Sequence, residues 1–171
     1  MRFLDYTSND SPNGVNEKFD SYNRYLQSIR GQLSDNAFSF ATAPWHYNSQ
    51  DPRCPHDSWV ESLCILEPSS GERSEIRIIE INIKLLGAYH DGYIELNYKN
   101  VHSYSLALSP NMSSDQRHGH GDWIIDEIRL SERGLILHEI EFWLGGCWVI
   151  ECEDVNYYWK PMGPEISGST A

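Results

Sequence analysis

The chain lacks the features that mark most membrane, nucleic-acid and motif-defined catalytic proteins. None of its apolar runs approaches the roughly 18 residues a membrane-spanning helix needs, and the opening MRFLDYTSND has no apolar core of the kind a secretory leader carries. A cytoplasmic location is therefore expected. There is no GxSxG, no glycine-rich phosphate loop and no dinucleotide fingerprint. Basic residues are scarce, with 13 Lys and Arg against 25 Asp and Glu and a net charge of −12. Such a field repels nucleic acid and anionic lipid surfaces and speeds encounter with basic partners. The four cysteines (Cys54, Cys64, Cys147, Cys152) form neither a CxxC pair nor a compact zinc spacing. Cys147 and Cys152 fall on opposite faces of one expected strand, so reduced thiols are expected.

What is present reads as one globular domain. At 171 residues, with 40% hydrophobic and 12% aromatic residues, the chain can bury a sizeable core. Residues 1–14 are polar and turn-rich, an expected loose arm. From Val15 to Leu33 the spacing turns helical, with Phe19, Tyr22, Leu26, Ile29 and Leu33 on one face, Asn16 as N-cap and a stop near Gly31. Residues 34–57 are broken by Pro44, Pro52 and Pro55 and read as irregular. Residues 58–160 alternate apolar and polar, predicting strands at 58–66, 75–86, 93–98, 102–108, 123–130, 135–143, 147–153 and 156–160. Asp91-Gly92 predicts a two-residue hairpin turn with Leu85 facing Tyr98, and Tyr104, Leu106 and Leu108 are expected to point inward. A β-bulge is expected at Ile78-Ile79. Residues 109–122 read as a flexible loop and 161–171 as a disordered tail. The fold class that follows is α+β, mainly antiparallel β: a curled sheet or two-sheet sandwich with one N-terminal amphipathic helix.

The strongest constellation is a row of glutamates in DWIIDEIRLSERGLILHEIEFWLGGCWVIECE, residues 122–153. Three-residue turns at 132–134 and 144–146 place Ile124, Ile128, Leu130, Ile136, His138, Ile140, Phe142, Trp148, Ile150 and Cys152 on one face. A one-residue slip would turn these side chains away from the core. The opposite face then sets Glu127 beside Glu139 and Glu139 beside Glu151, with Glu141 and Glu153 close by. Like charges directly opposite each other are destabilising, so the row is expected to serve a basic partner or a cation, or to form a solvated outer surface. Residues 121–171 hold three basic and ten acidic residues, −7 of the total. Trp123 and Trp143 fall on the same deduced face and are expected as apolar anchors.

Two other groups can carry chemistry. In His118-Gly-His120-Gly-Asp122, alternate residues of an extended segment face the same way and can grip a divalent metal such as zinc. The string resembles the HxHxDH motif of metallo-β-lactamase-like hydrolases but departs from it at Trp123, and the chain lacks the alternating βα pattern of that fold. His138 lies on the apolar face, with Cys152 expected across from it on one side and Ile128 on the other. A Cys–His pair can act as nucleophile and base; a histidine on an apolar face equally serves as a hydrogen-bonded core residue. His56-Asp57 and His90-Asp91 read as turn dipeptides.

The strings HDSWVESL, GAYHDGYIELNY, GDW and HEIEFWLGGCWVIECEDVNYYW, spanning residues 56–159, resemble small β-rich bacterial proteins of uncharacterised type. Some similar acidic proteins are immunity partners of polymorphic or contact-dependent toxins. The resemblance implies a fold class and a binding role, without an active site. The leading expectation is an acidic protein-binding module of immunity type that occludes a basic surface on a cognate toxin, using Glu127, Glu139, Glu141, Glu151, Glu153, Trp123 and Trp143, without nucleic acid, membrane or cofactor. The alternatives are a metal-dependent hydrolase using His118, His120 and Asp122, and a structural or assembly subunit that self-associates through its aromatic face.

Overall fold

Helix formation begins where the sequence supplies a cap. The side chain of Ser11 accepts the Gly14 N–H at 3.2 Å and Pro12 occupies the first turn, so α1 spans Pro12–Ser28 and starts earlier than Asn16. Tyr22 and Leu26 are fully buried. The apolar spacing outlasts the helix: Ile29 and Leu33 are also buried, but in the turn that follows. A second helix, α2 at Asp35–Ala41, stands in the stretch expected to be irregular. It is only 7 residues long, capped by Ser34, and buries Ala37, Phe40 and Ala41. The Ser34 hydroxyl also donates to Asp154, tying the helix to the sheet.

The computed structural model describes residues 1–5, 11–108 and 119–163. The strands are β1 Trp59–Leu66, β2 Ser69–Ser70, β3 Ile76–Arg77, β4 Glu80–Leu86, β5 Gly92–Ala107, β6 Trp123–Leu130, β7 Ile136–Phe142 and β8 Cys147–Pro161. The fold is α+β with antiparallel sheet: six strands in the order β1-β4-β5-β8-β7-β6, left open, plus the two-stranded β2-β3 hairpin. Among the described residues no helix is long and apolar enough to cross a membrane. The tail expected beyond residue 163 and the loop expected over 109–118 lie outside the described residues.

Four expected strands merge into two. β5 and β8, of 16 and 15 residues, pair along almost their whole length and form the spine. The apparent breaks are a change of phase, since Tyr98 and then Val101 turn inward on β5, and Cys152 and then Val155 on β8. A bulge between Val101 and Ser103 absorbs the extra residue. The β4–β5 hairpin exists, but its register is Ile81↔Tyr98 and Leu85↔Ile94, closing at the Gly87 N–H to Gly92 C=O bond. The even shift from the expected pairing leaves the same side chains facing the core. The two-residue Asp-Gly turn is not used. Gly92 serves another purpose: a Cβ there would lie 2.3 Å from the Trp159 ring. Ile78 and Ile79 link β3 to β4 rather than bulging a single strand.

One face of the sheet is covered by the helices. Ile83, Leu96, Ile128, Ile140, Trp148 and Ile150 meet there with at most 1% exposure, each buried aliphatic contributing about 1.5–3 kcal/mol. Tyr104 and Leu106 pair with Ile150 and Trp148 and share their face. Yet Tyr104, and Leu108 just past the end of β5, are 44% and 56% exposed instead of pointing into the core. The edge strand β6 is sealed from α1. The Tyr22 hydroxyl accepts the Ile128 N–H at 2.7 Å and donates to its carbonyl at 3.0 Å, and Tyr25 accepts the Leu130 N–H at 2.9 Å. At one corner the outer strands meet. The Asp57 N–H donates to the Trp123 carbonyl and the Trp123 N–H to the Ser58 carbonyl, which curls the sheet towards itself without closing it.

Candidate functional site

The β6–β7 turn behaves as the sequence predicts. Ser131 N–H donates to the Leu135 carbonyl across a three-residue turn with Gly134 at φ +75, and Glu127 pairs directly with Glu139. The next hairpin is two residues out of the expected register. A short 3-10 turn at Trp143–Gly145 replaces the expected 144–146 turn and closes the hairpin one residue earlier, so Glu139 faces Val149 while Glu151 faces Leu137. The faces survive the even shift, but the three-glutamate line does not.

The row is largely satisfied from within the chain. Glu127 is fully buried: its carboxylate accepts the backbone N–H groups of Arg2, Phe3 and Leu4 at 2.7, 2.8 and 3.1 Å. Residues 1–5, expected to be loose, lie across the outer face, with Leu4 buried and Phe3 stacked on Tyr25. Glu139 accepts the Met1 ammonium at 2.8 Å and Arg129 Nη2 at 3.1 Å. Burial pushes its carboxyl up, but these hydrogen bonds and charges leave it below the ordinary glutamate range. Glu151 is buried against Arg133 and Ser103, and the Arg133 hydrogen bonds hold its carboxyl at about 2. Glu127 and Glu151 therefore cannot serve as partner-facing groups. Three N–H donors and two guanidinium groups have taken the place of an external cation.

Two members of the row still face outward. The side chain of Glu153 is 52% exposed beside His102, and hydrogen bonds from Asn100 and His102 lower its carboxyl. Glu141 is 40% exposed and 3.8 Å from the Met1 ammonium. Partial desolvation pushes its carboxyl above the ordinary range, and Asp5, Glu139 and Glu127 add like-charge repulsion against the ammonium's opposing pull. Two residues on, Trp143 is 58% exposed. Its N–H donates to the Asp122 carbonyl at 2.8 Å. Gly121, at φ +79, allows this close approach, since a Cβ there would sit 3.1 Å from the Trp143 carbonyl oxygen. The indole is thus presented from a backbone-anchored turn beside Glu141.

Trp123 is not exposed. A bulge between Trp123 and Ile125 rotates it to the helix-covered face opposite Phe142, where it is fully buried and its Nε1–H donates to Asp126 at 3.0 Å. Asp126 is the centre of a buried polar cluster. His46 Nε2 lies 2.9 Å from Asp126 Oδ2 and 3.0 Å from Oδ1, and His138 Nε2 lies 2.9 Å from Oδ2. His46 Nδ1 faces the Phe40 carbonyl at 2.8 Å, and His138 Nδ1 faces the Tyr98 hydroxyl at 2.8 Å. Burial opposes ionisation of Asp126, but the His46 charge and the hydrogen bonds from both histidines hold its carboxyl well below the usual range. Both His46 nitrogens face acceptors, so both carry protons. His138 Nε2 donates to Asp126, and its Nδ1 shares a hydrogen bond with the Tyr98 hydroxyl. The cluster is a fully connected His46⁺–Asp126⁻–His138–Tyr98 chain.

This arrangement satisfies His138 as a core residue and separates it from Cys152. His138 pairs with Ile150, and Cys152 lies across from Ile136. Burial raises the Cys152 thiol to about 12 and the Cys54 thiol to about 11, out of reach of thiolate chemistry at neutral pH. His46 and Asp126 escaped the sequence reading. Asp126 had left a signal, because it falls on the inward parity between Ile124 and Ile128, and a carboxylate placed there needs buried donors. Its partner His46 is 80 residues away, and nothing in the sequence links the two.

Of the expected metal ligands, His118 lies outside the described residues. The His120 ring packs edge-on to Trp148 at 4.7 Å, and burial lowers its basicity. Asp122 forms a backbone bridge to Trp59. Among the described residues no three His, Cys, Asp or Glu side chains are grouped as a metal would require. No family model, curated protein or solved structure matches the chain.

Proposed function

We propose that this chain is a protein-binding module that takes a basic partner at the Glu141–Trp143 corner, and that it acts as an immunity-type inhibitor covering the basic surface of a cognate toxin. The observation that carries this reading is the state of Glu141. Its carboxyl is raised by desolvation and by neighbouring carboxylates while it remains accessible. A lysine or arginine docking there relieves a repulsion that the chain itself leaves incompletely compensated. Trp143 supplies the apolar anchor typical of an interface centre, and its turn is already held in place, which reduces the ordering cost of binding. Glu139 contributes field rather than contact, because its oxygens are already engaged.

The test uses three immobilised proteins: the intact chain, Glu141→Gln and Trp143→Ala. Each is exposed to source-organism lysate at low and high salt, and the retained proteins are identified by mass spectrometry. A basic protein held by the intact chain, released by salt and lost from both variants supports the site. Its toxicity when expressed alone, and relief of that toxicity by co-expression with the intact chain, supports the immunity role. Retention indifferent to salt and to both substitutions refutes the mechanism, and a harmless partner refutes the immunity role.

A further inference from the structure

We propose that the free edge of β1 pairs with the same edge of a second copy of this chain, antiparallel about a two-fold axis at Cys64, so that the six-stranded sheets of the two copies join. This surface is separate from the Glu141 corner and does not depend on the reading of that corner.

The two outer strands of the sheet end differently. On β6 the Tyr22 and Tyr25 hydroxyls accept the Ile128 and Leu130 N–H groups and cover the edge. On β1 only the first residues are covered, where the Trp123 N–H reaches the Ser58 carbonyl and Asp122 bridges Trp59. Past the bulge at Glu61, the five residues Ser62–Leu66 pair with β4 alone among the described residues. The Gly87 N–H to Gly92 carbonyl bond fixes which backbone groups are left over. By alternation it turns Ile81, Ile83 and Leu85 towards β5, so Asn82 and Lys84 bond to Cys64 and Ser62 on the other side. The N–H and C=O groups of Leu63 and Ile65 are left facing outward. An edge of this kind, with no Lys, Pro or charge between Ser62 and Leu66, is a template for another extended strand.

Side chains and charge select the strand. Ile81 and Ile83 are at most 1% exposed, yet their cross-strand neighbours Ile65 and Leu63 stay partly open, Ile65 at 40%. The apolar layer therefore runs one strand past its cover and calls for an apolar strand beside it. A two-fold axis at Cys64 sets Leu63 opposite Ile65 of the second copy, and Ile65 opposite its Leu63. That pairing matches the outward backbone groups and continues the apolar row. An axis at Leu63 would carry the overlap into the bulge, and one at Ile65 would carry it past the end of β1. The overlap is an uncharged strip on a chain of net charge −12, and Glu61 at its end is held by Lys84 at 2.8 Å. Two copies of so acidic a chain meet there with the least repulsion. Five residues a side is far below the roughly 20–30 of a standard interface, so the dimer is weak and concentration-dependent.

Sedimentation of the full chain from about 10 µM to 1 mM is expected to show a monomer–dimer equilibrium that tightens with salt, because screening removes repulsion between the copies. Amide exchange is expected to slow at Leu63 and Ile65 on concentration. Cys64 is exposed and would face its counterpart in a non-hydrogen-bonded pair, with Cα atoms about 4.5 Å apart. Diamide, which takes up two electrons and two protons from a pair of thiols, is expected to trap that dimer as a disulfide. Moving the thiol in the double variant Ser62→Cys/Cys64→Ser offsets the sulfurs by about 13 Å of strand and is expected to prevent trapping. Ile65→Lys makes the chain less acidic but breaks both Leu63–Ile65 contacts, and is expected to weaken the dimer about two- to thirty-fold; if it misfolds, the thiol pair still decides the question. A monomer at every concentration, equal trapping at the two thiol positions, or an affinity unchanged in Ile65→Lys would each overturn the proposal.

Discussion

Replacing Asp126 with Asn tests the buried cluster directly. The carboxylate is 2% exposed and accepts from His46, His138 and Trp123 at 2.9–3.0 Å. An asparagine keeps the volume and loses half of this capacity. If its NH2 stands in for Oδ2, it confronts the His46 and His138 donors; if it stands in for Oδ1, it confronts Trp123. In either orientation the His46 imidazolium keeps its Phe40 contact and loses its counter-charge. Breaking a buried ion pair on one side costs about 3–5 kcal/mol, against a net stability of about 5–15 kcal/mol for a typical domain. At about 2–4 °C per kcal/mol for a chain of this length, Tm should fall by roughly 6–20 °C. Urea unfolding followed by tryptophan fluorescence and circular dichroism gives the free energy. The effect should also depend on pH. The folded carboxyl is depressed, so its stabilisation is present above the unfolded value of about 3.9 and is lost as pH falls towards the folded value. Intact and variant proteins should therefore converge in stability only in strong acid. A loss below about 1 kcal/mol at neutral pH would refute the ionised, fully donated assignment.

Glu127→Gln should release residues 1–5, because one amide oxygen cannot receive the three N–H groups of Arg2, Phe3 and Leu4. Amide exchange at those positions should accelerate with a loss of about 1–3 kcal/mol, and unchanged protection would show that Phe3 and Leu4 packing alone holds the segment. Glu141→Gln should stabilise the chain at neutral pH while weakening partner capture. Its folded carboxyl is raised, so the glutamate favours folding relative to the unfolded chain only at low pH and loses that advantage as pH rises through the folded value. The gain from the variant should therefore vanish in acid, and a loss of stability at pH 7 would count against the repulsion. Tyr22→Phe should cost about 1–3 kcal/mol by orphaning the Ile128 N–H and carbonyl on the β6 edge; a neutral result in urea unfolding would mean water replaces the hydroxyl.

Much of the fold was legible because it rests on short-range periodicity. Alternation in residues 135–143 placed Ile136, His138, Ile140 and Phe142 on the core side, and all four are buried. The 132–134 turn and the Glu127–Glu139 pair were readable from Gly134 and the apolar register. Errors of register came in steps of two or four residues, at 85–98 and 139–151. Alternation specifies which face a residue takes, but loop conformation selects among registers of equal parity. Trp123 was misplaced because a single bulge residue reverses parity locally, without a distinctive sequence mark.

The sequence by itself determined an acidic α+β chain with antiparallel strands, an amphipathic N-terminal helix and a glutamate-rich meander, since each of these is a property of neighbours a few residues apart. Tertiary structure alone decided the fate of those charges. Glu127 meets Arg2, Phe3 and Leu4 across more than 120 positions, and Asp126 meets His46 across 80. Whether a carboxylate is an exposed charge or a buried acceptor depends on which donors the folded chain brings to it, and local spacing carries no record of that approach.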